Sequence, residues 1–278
     1  GFDEDFKAWG KEDTEWGFRV WNKGEYIIPL YEACGLHQEP PGGRNETDRE
    51  LGLIEVMPTF IDRVPVMYRK GEHGVEHSVP LVSIYIPAYN SGNSILETVQ
   101  SVLQQTFEDL EVCIAIDGCA DTLKILEKNY LDNPRVRWTY QENQGIGGAS
   151  NTAVQMCRGV YIGQLDSDDV LLPNAIDILV SEIEKDTRYG VVYGSFQKET
   201  PKGEFIEDGY DWLEYTREKL MFGCIVHHFR LFRARDWWRT DGFSTDMANA
   251  IDFDIYLKLS EVTEMKHIQE WTYVYRIH

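Results

Sequence analysis

The chain has 278 residues, 42% hydrophobic and 13% aromatic, enough to bury one large core or two small ones. A formal net charge of −20 excludes a nucleic-acid footprint, which needs basic patches, and no apolar run reaches membrane-spanning length. The five cysteines, Cys34, Cys113, Cys119, Cys157 and Cys224, are scattered and odd in number, and no secretory signal opens the chain. They read as thiols of a reducing, cytoplasmic compartment, not as a disulfide framework.

Residues 1–36 are rich in aromatic and acidic side chains. Pro40-Pro41-Gly42-Gly43 breaks any regular element, and 44–79 read as a polar linker. The texture changes at Pro80. Val82–Ile86 reads as a buried strand, and Ser94–Gln105 as a helix with Ile95, Val99 and Val102 on one face. Strands follow at Glu111–Ile116, Val136–Tyr140, Val160–Leu165 and Gly190–Ser195. Helices are expected at Ala120–Tyr130, at Gly147–Cys157 and from Pro173. This alternation predicts an α/β fold: a Rossmann-like, mostly parallel sheet with helices on both faces, in a domain spanning 80–278. Ligands bind such sheets at the carboxyl ends of the strands. Those ends carry Pro87–Asn90, Asp117-Gly118 and Asp166-Ser167-Asp168-Asp169.

A run of carboxylates behind an apolar strand needs a counter-charge, which a divalent cation supplies through hard oxygen ligands. The bland alternative is a helix-capping turn before Pro173. Asp117 can accept from a base or ribose, or simply cap the next helix. Asn143–Gly148 resembles a phosphate cradle but lacks the lysine and spacing of a P-loop, and reads mainly as close packing beside a nucleotide. Asp252 and Asp254 open a helix with apolar positions Ile251, Ile255 and Leu259. Either the helix dipole favours them there, or one is a general base for an acceptor hydroxyl. His227-His228 precede a strand-like Phe229–Phe232 and are core or acceptor-facing.

A faint repeat links the ends of the chain. Gly1-Phe2, Glu12–Glu15, Arg19 and His37 echo Gly242-Phe243, Ile251–Asp254, Lys258 and His278 at similar spacing. The repeat makes His278 a candidate metal ligand. It also makes 1–79 the tail of a related module plus linker, so the chain reads as a fragment.

Pro87-Ala88-Tyr89-Asn90, Asp117-Gly118, Gly147–Asn151, Gln164–Asp169 and Ala250–Asp254 together resemble the family 2 glycosyltransferases of GT-A fold. His227–Arg230 and Leu257–Glu261 sharpen the likeness to the second catalytic module of two-module bacterial chondroitin and hyaluronan synthases, enzymes of capsular polysaccharide synthesis. Residues 1–70 resemble the tail of the first module. The likeness implies a metal-dependent, inverting transfer of a sugar, first of all glucuronate, from a UDP-sugar to a glycan acceptor. Asp117 and Asp166 would hold uridine. Asp168 and His278 would bind Mn²⁺ or Mg²⁺, and Asp252 would be the base. Pro87, Ala88, Tyr89, Asn90, Gly147, Asn151, Ser167, His227 and His228 would complete the nucleotide-sugar site. Peripheral association of the full-length protein with the inner face of the membrane also follows from it. Two departures stand out: Cys119-Ala120 replace the usual Ser-Thr after Asp-Gly, and Ile251 replaces an acid before the base. A nucleotidyltransferase would show a basic Gly-rich loop after the first strand, and Pro87–Gly92 contains no Lys or Arg. A non-catalytic or truncated carbohydrate- or nucleotide-binding module is the third alternative.

Overall fold

The computed structural model describes residues 80–210, 212–247 and 249–277. The readings of 1–79, His37 and His278 lie outside them. A compact unit runs from Pro80 to His278.

Its first half follows the predicted alternation: β1 (Val82–Ala88), α1 (Ser94–Leu103), β2 (Leu110–Asp117), α2 (Ala120–Tyr130), β3 (Val136–Gln141), α3 (Gly145–Met156) and β4 (Tyr161–Gln164). β3, β2, β1 and β4 lie side by side and parallel. The period-2 pleat divides each strand between two faces. Val82, Ile84 and Ile86 pack into a core with α1 and with α4 (Ala175–Lys185). Tyr85 points the other way, into a second core with Ala149 of α3 and Ile255 of α7 (Ile251–Ser260). Helices therefore cover both faces, as expected.

The second half is mixed. After a two-residue β5 (Val170–Leu171) and α4 come β6 (Tyr189–Glu199), β7 (Phe205–Asp208), α5 (Arg217–Phe222), β8 (Arg230–Arg233), α6 (Ala234–Trp237), α7 and β9 (Glu264–Arg276). β8 runs antiparallel to β4 and β6, and β9 runs parallel to β6 but antiparallel to β5. The sheet is thus parallel where the strand-end acids sit and mixed beyond. This reversal matters for the site. An antiparallel β8 brings its amino end, with His228 just before it, against the carboxyl end of β4 and Asp166. The end of β9 returns to the same place. No helix among the described residues is long and apolar enough to cross a membrane.

Candidate active site

Asp117 closes β2 and is 2% exposed. The side-chain amide of Gln141 and the backbone N–H of Gln144 both donate to its Oδ1 at 2.8 Å. Gly118 follows in the left-handed region (φ +81°), which lets the chain turn without steric cost. The acids after β4 divide by partner. Asp169 is 1% exposed: it accepts from Tyr273 Oη at 2.6 Å and from Arg276 N–H at 2.8 Å. Burial outweighs those bonds and pushes Asp169 up to about 7. Asp166 is raised to about 6, first by burial and then by the charges of Asp168 and Asp252, against the pull of Arg230. The Ser167 hydroxyl accepts from Ser91 Oγ at 2.7 Å, which ties the acid loop to the turn after β1.

Two cavities meet at Asp166. The larger, about 600 Å³, is lined by Pro87, Ala88, Tyr89, Asn143, Ile146 and Tyr275, by Ser167, and by four carboxylates: Asp117, Asp166, Asp168 and Asp169. The smaller, about 370 Å³, is lined by Ser150, Gln164, Asp166, His228, Phe243 and Asp252, among others. Asp252 lies in the first turn of α7, just after Ala250, whose left-handed backbone (φ +60°) is uncommon for a residue with a Cβ. Its Oδ2 accepts from Arg230 Nη2 at 3.0 Å. Asp254 faces away and is pinned at 2.7 Å by both Ser244 Oγ and Lys258 Nζ.

The two histidines part company. His228 stacks on Tyr273 with ring centroids 4.7 Å apart, and its Nε2 stands 3.8 Å from Asp166 Oδ2. Burial, then the Arg230 charge, holds it neutral, well below the usual imidazole range. His227 packs on Phe196 at 5.5 Å, and the same two causes pull it down to about 4.

Gly147, Asn151 and His227, expected at the nucleotide-sugar site, line neither cavity. Helical periodicity gives the reason for the first two. Ile146 and Ser150 face the cavities, while Gly147 and Asn151, one step round and four apart, face the 242–244 segment. The Asn151 amide donates to Phe243 O and accepts from Phe243 N–H, both at 2.8 Å. A Cβ on Gly147 would stand 2.1 Å from the Ser244 carbonyl. Asn90 does not line a cavity either; with φ +50° it turns the chain out of β1. Gly147→Ala should therefore displace the segment carrying Phe243 and lower stability by about 1–3 kcal/mol. A thermal unfolding curve superimposable on the parent's would show that the contact does not constrain the loop.

Among the described residues no group of three or more His, Cys, Asp or Glu side chains could hold a metal ion. Asp168 lines the larger cavity, and its expected partner His278 lies outside those residues.

Residues 83–247 match the family described as glycosyl transferase family 2. The chain belongs to this family. As a family 2 glycosyltransferase it is an enzyme of sugar transfer, and the nucleotidyltransferase reading falls away. It is 50% identical over 277 residues to a chondroitin synthase of Escherichia coli, covering 98% of this chain and 40% of that protein. It is 47% identical over 276 residues to a hyaluronan synthase of Pasteurella multocida, covering 98% of this chain and 28% of that protein. The chain thus spans less than half the length of these relatives, as one module would. Among solved structures, Staphylococcus aureus TarS 1–349 in complex with UDP-GlcNAc is similar, with a TM-score of 0.61 at 20% identity, covering 71% of this chain and 58% of that one. The mannosyltransferase PcManGT from Pyrobaculum calidifontis, in complex with GDP-Man and Mn²⁺, has a TM-score of 0.54 at 19% identity, covering 72% and 57%. These likenesses establish the GT-A fold. The family match ends before α7, so Asp252 falls outside it, while the synthase similarities span nearly the whole chain.

The sequence assigns Arg230 no role in the site and does not point to Tyr273. Arg230 had a signal: a lone cation inside the apolar run Phe229–Phe232 needs an acid nearby. Tyr273 had none that local pattern could supply.

Proposed function

We propose that the 80–278 unit transfers glucuronate from UDP-glucuronate to the end of a growing acidic glycan, with inversion and with Mn²⁺ or Mg²⁺ bound at Asp168. Four carboxylates line the larger cavity, and none of its described lining residues is cationic; this carries the reading. A diphosphate cannot share a cavity with four carboxylates unless a cation joins it. Asp168, with His278, would hold that ion, whose chemistry is to neutralise the charge that builds on the departing diphosphate. The Mn²⁺ of the mannosyltransferase and the UDP-sugar of TarS support the same reading.

The chain's own residues divide the remaining work. Asp117 and Asp166 hold uridine, with Pro87, Ala88, Tyr89, Asn90 and Ser167 shaping that side. The acceptor enters the smaller cavity, where Asp252 takes the proton from its hydroxyl as the oxygen bonds to the anomeric carbon and the bond to UDP breaks. His228 borders the sugar between the two cavities. Gly147, Asn151 and His227 support the site from behind. Chondroitin and hyaluronan share glucuronate and differ in their hexosamine, so near-equal similarity to both synthases favours the shared sugar as donor. Residues 1–79 fit the tail of a preceding module, since the synthase similarities extend over them. The free thiols Cys113, Cys119, Cys157 and Cys224 fit a cytoplasmic setting, at the inner membrane face in the full-length protein.

Calorimetry with a panel of UDP-sugars and Mn²⁺ tests this. UDP-glucuronate should bind most tightly, with one nucleotide per chain. Tighter binding of a UDP-N-acetylhexosamine would overturn the donor, and two nucleotides per chain would overturn the assignment of 1–79.

A further inference from the structure

We propose that Arg230 is the positioning residue of the reaction: it fixes the orientation in which Asp252 meets the acceptor hydroxyl. This rests on reading Asp252 as the base.

A guanidinium buried at the start of a core strand is a costly placement, tolerated only with an acid and further partners. Arg230 is 1% exposed. Its Nε donates to the Val226 carbonyl at 2.7 Å, and its Nη2 donates to Asp252 Oδ2 at 3.0 Å. Its Cζ lies 4.9 Å from the centre of the Tyr256 ring, and the Tyr256 hydroxyl donates to Gln164 Oε1 at 3.1 Å. Gln164 lines the smaller cavity beside Asp166. Arg230 is thus clamped by its backbone contact and by a ring, which aims Nη2 at Asp252.

Arg233, three residues along the same strand, shows the contrast. Its guanidinium donates to the carbonyls of Tyr189 and Ile183 and to the Tyr161 hydroxyl. Those partners are neutral, and it braces the sheet. Arg230 instead reaches a carboxylate whose side chain is 40% exposed and lines a cavity. A buried cation joined to an accessible anion leaves the anion free to meet a ligand but fixes how it is presented. Asp252 Oδ1 accepts from the N–H of Phe253 at 3.0 Å, while Oδ2 accepts from Arg230 and, at 4.0 Å, from the Cys224 thiol, so Oδ1 keeps a lone pair to spare.

The surroundings make the cation necessary. Facing Asp252 are Arg230 from β8, the Cys224 thiol at 4.0 Å from the segment before it, Asp166 from the acid loop and His228 across the cavity. Tyr256 lies on its own helix. His228 and Tyr256 are held neutral, and the Cys224 thiol is raised by burial. Arg230 is therefore the cation that balances two neighbouring carboxylates. Without it, Asp252 would lose its charged donor and would no longer be pinned.

The test uses the whole chain, saturating UDP-glucuronate with Mn²⁺, and a glycan acceptor. R230M should lower kcat at least about thirtyfold, within the range for losing a positioned base, and change UDP affinity less than about threefold. R230K, which keeps the charge but not the fork, should recover part of that loss and stand only about tenfold below the parent in kcat. A parental kcat in R230M overturns the proposal, as does a loss seen equally in UDP affinity. Should R230M fail to fold, R230K decides: parental kcat there overturns it. D252N separates the two readings. If D252N transfers at the parent rate, the base assignment fails. If D252N is inactive but R230M matches the parent, only the role of Arg230 fails.

Discussion

Replacing Asp252 by asparagine is expected to reduce transfer by at least about a hundredfold while donor affinity stays near the parent value. The amide keeps the size of the carboxylate and can still meet Arg230, but it cannot take a proton. Asp252 lines the smaller cavity and not the larger one, so UDP should bind unaffected. Asp254, two positions along the helix, gives the control. Its carboxylate is occupied by Ser244 and Lys258, and burial is outweighed by those bonds so that it titrates below its usual range. Asp254→Asn should act on stability, through the 242–250 segment, and spare most of the kcat of folded enzyme. Single-turnover transfer with calorimetric donor binding checks both variants. A D252N enzyme that transfers near the parent rate, or whose only defect is weak donor binding, would remove Asp252 from the chemistry.

The second large effect concerns Asp168. In the parent, UDP affinity should fall at least about tenfold when EDTA replaces Mn²⁺, since four carboxylates then face the diphosphate without a counter-charge. In Asp168→Ala that difference should collapse, and the sign in EDTA is informative. With one repulsive carboxylate gone, the variant should bind UDP in EDTA at least as well as the parent does. Equal parental affinity with EDTA and with Mn²⁺ would sink the metal assignment. Weaker UDP binding by the variant in EDTA would show that Asp168 touches the nucleotide directly.

The strand-end acids were legible from sequence because they depend on local pattern. Apolar runs of period 2 alternating with helices of period 3.6 force a parallel sheet, and a parallel sheet puts Asp117 and Asp166 at one edge. Asp252 and Asp254 at a helix start were equally local. Sequence left them equivalent as acids. The family resemblance alone singled out Asp252, and packing separates the two physically, by bringing Lys258 and Ser244 to one and Arg230 to the other. The tertiary structure also decided where the parallel order stops. Reversing β8 sets His228 beside Asp166, 62 residues away in sequence, and the return of β9 carries Tyr273 to Asp169, 104 residues away. Such neighbours are fixed by which strands bury one another's faces in a nine-stranded sheet, and no short-range periodicity encodes that choice. The division of α3, with Ile146 and Ser150 toward the cavities and Gly147 and Asn151 clamping the 242–244 segment, has the same origin. The residues were visible in the sequence; the surface each one faces was settled when the helix docked.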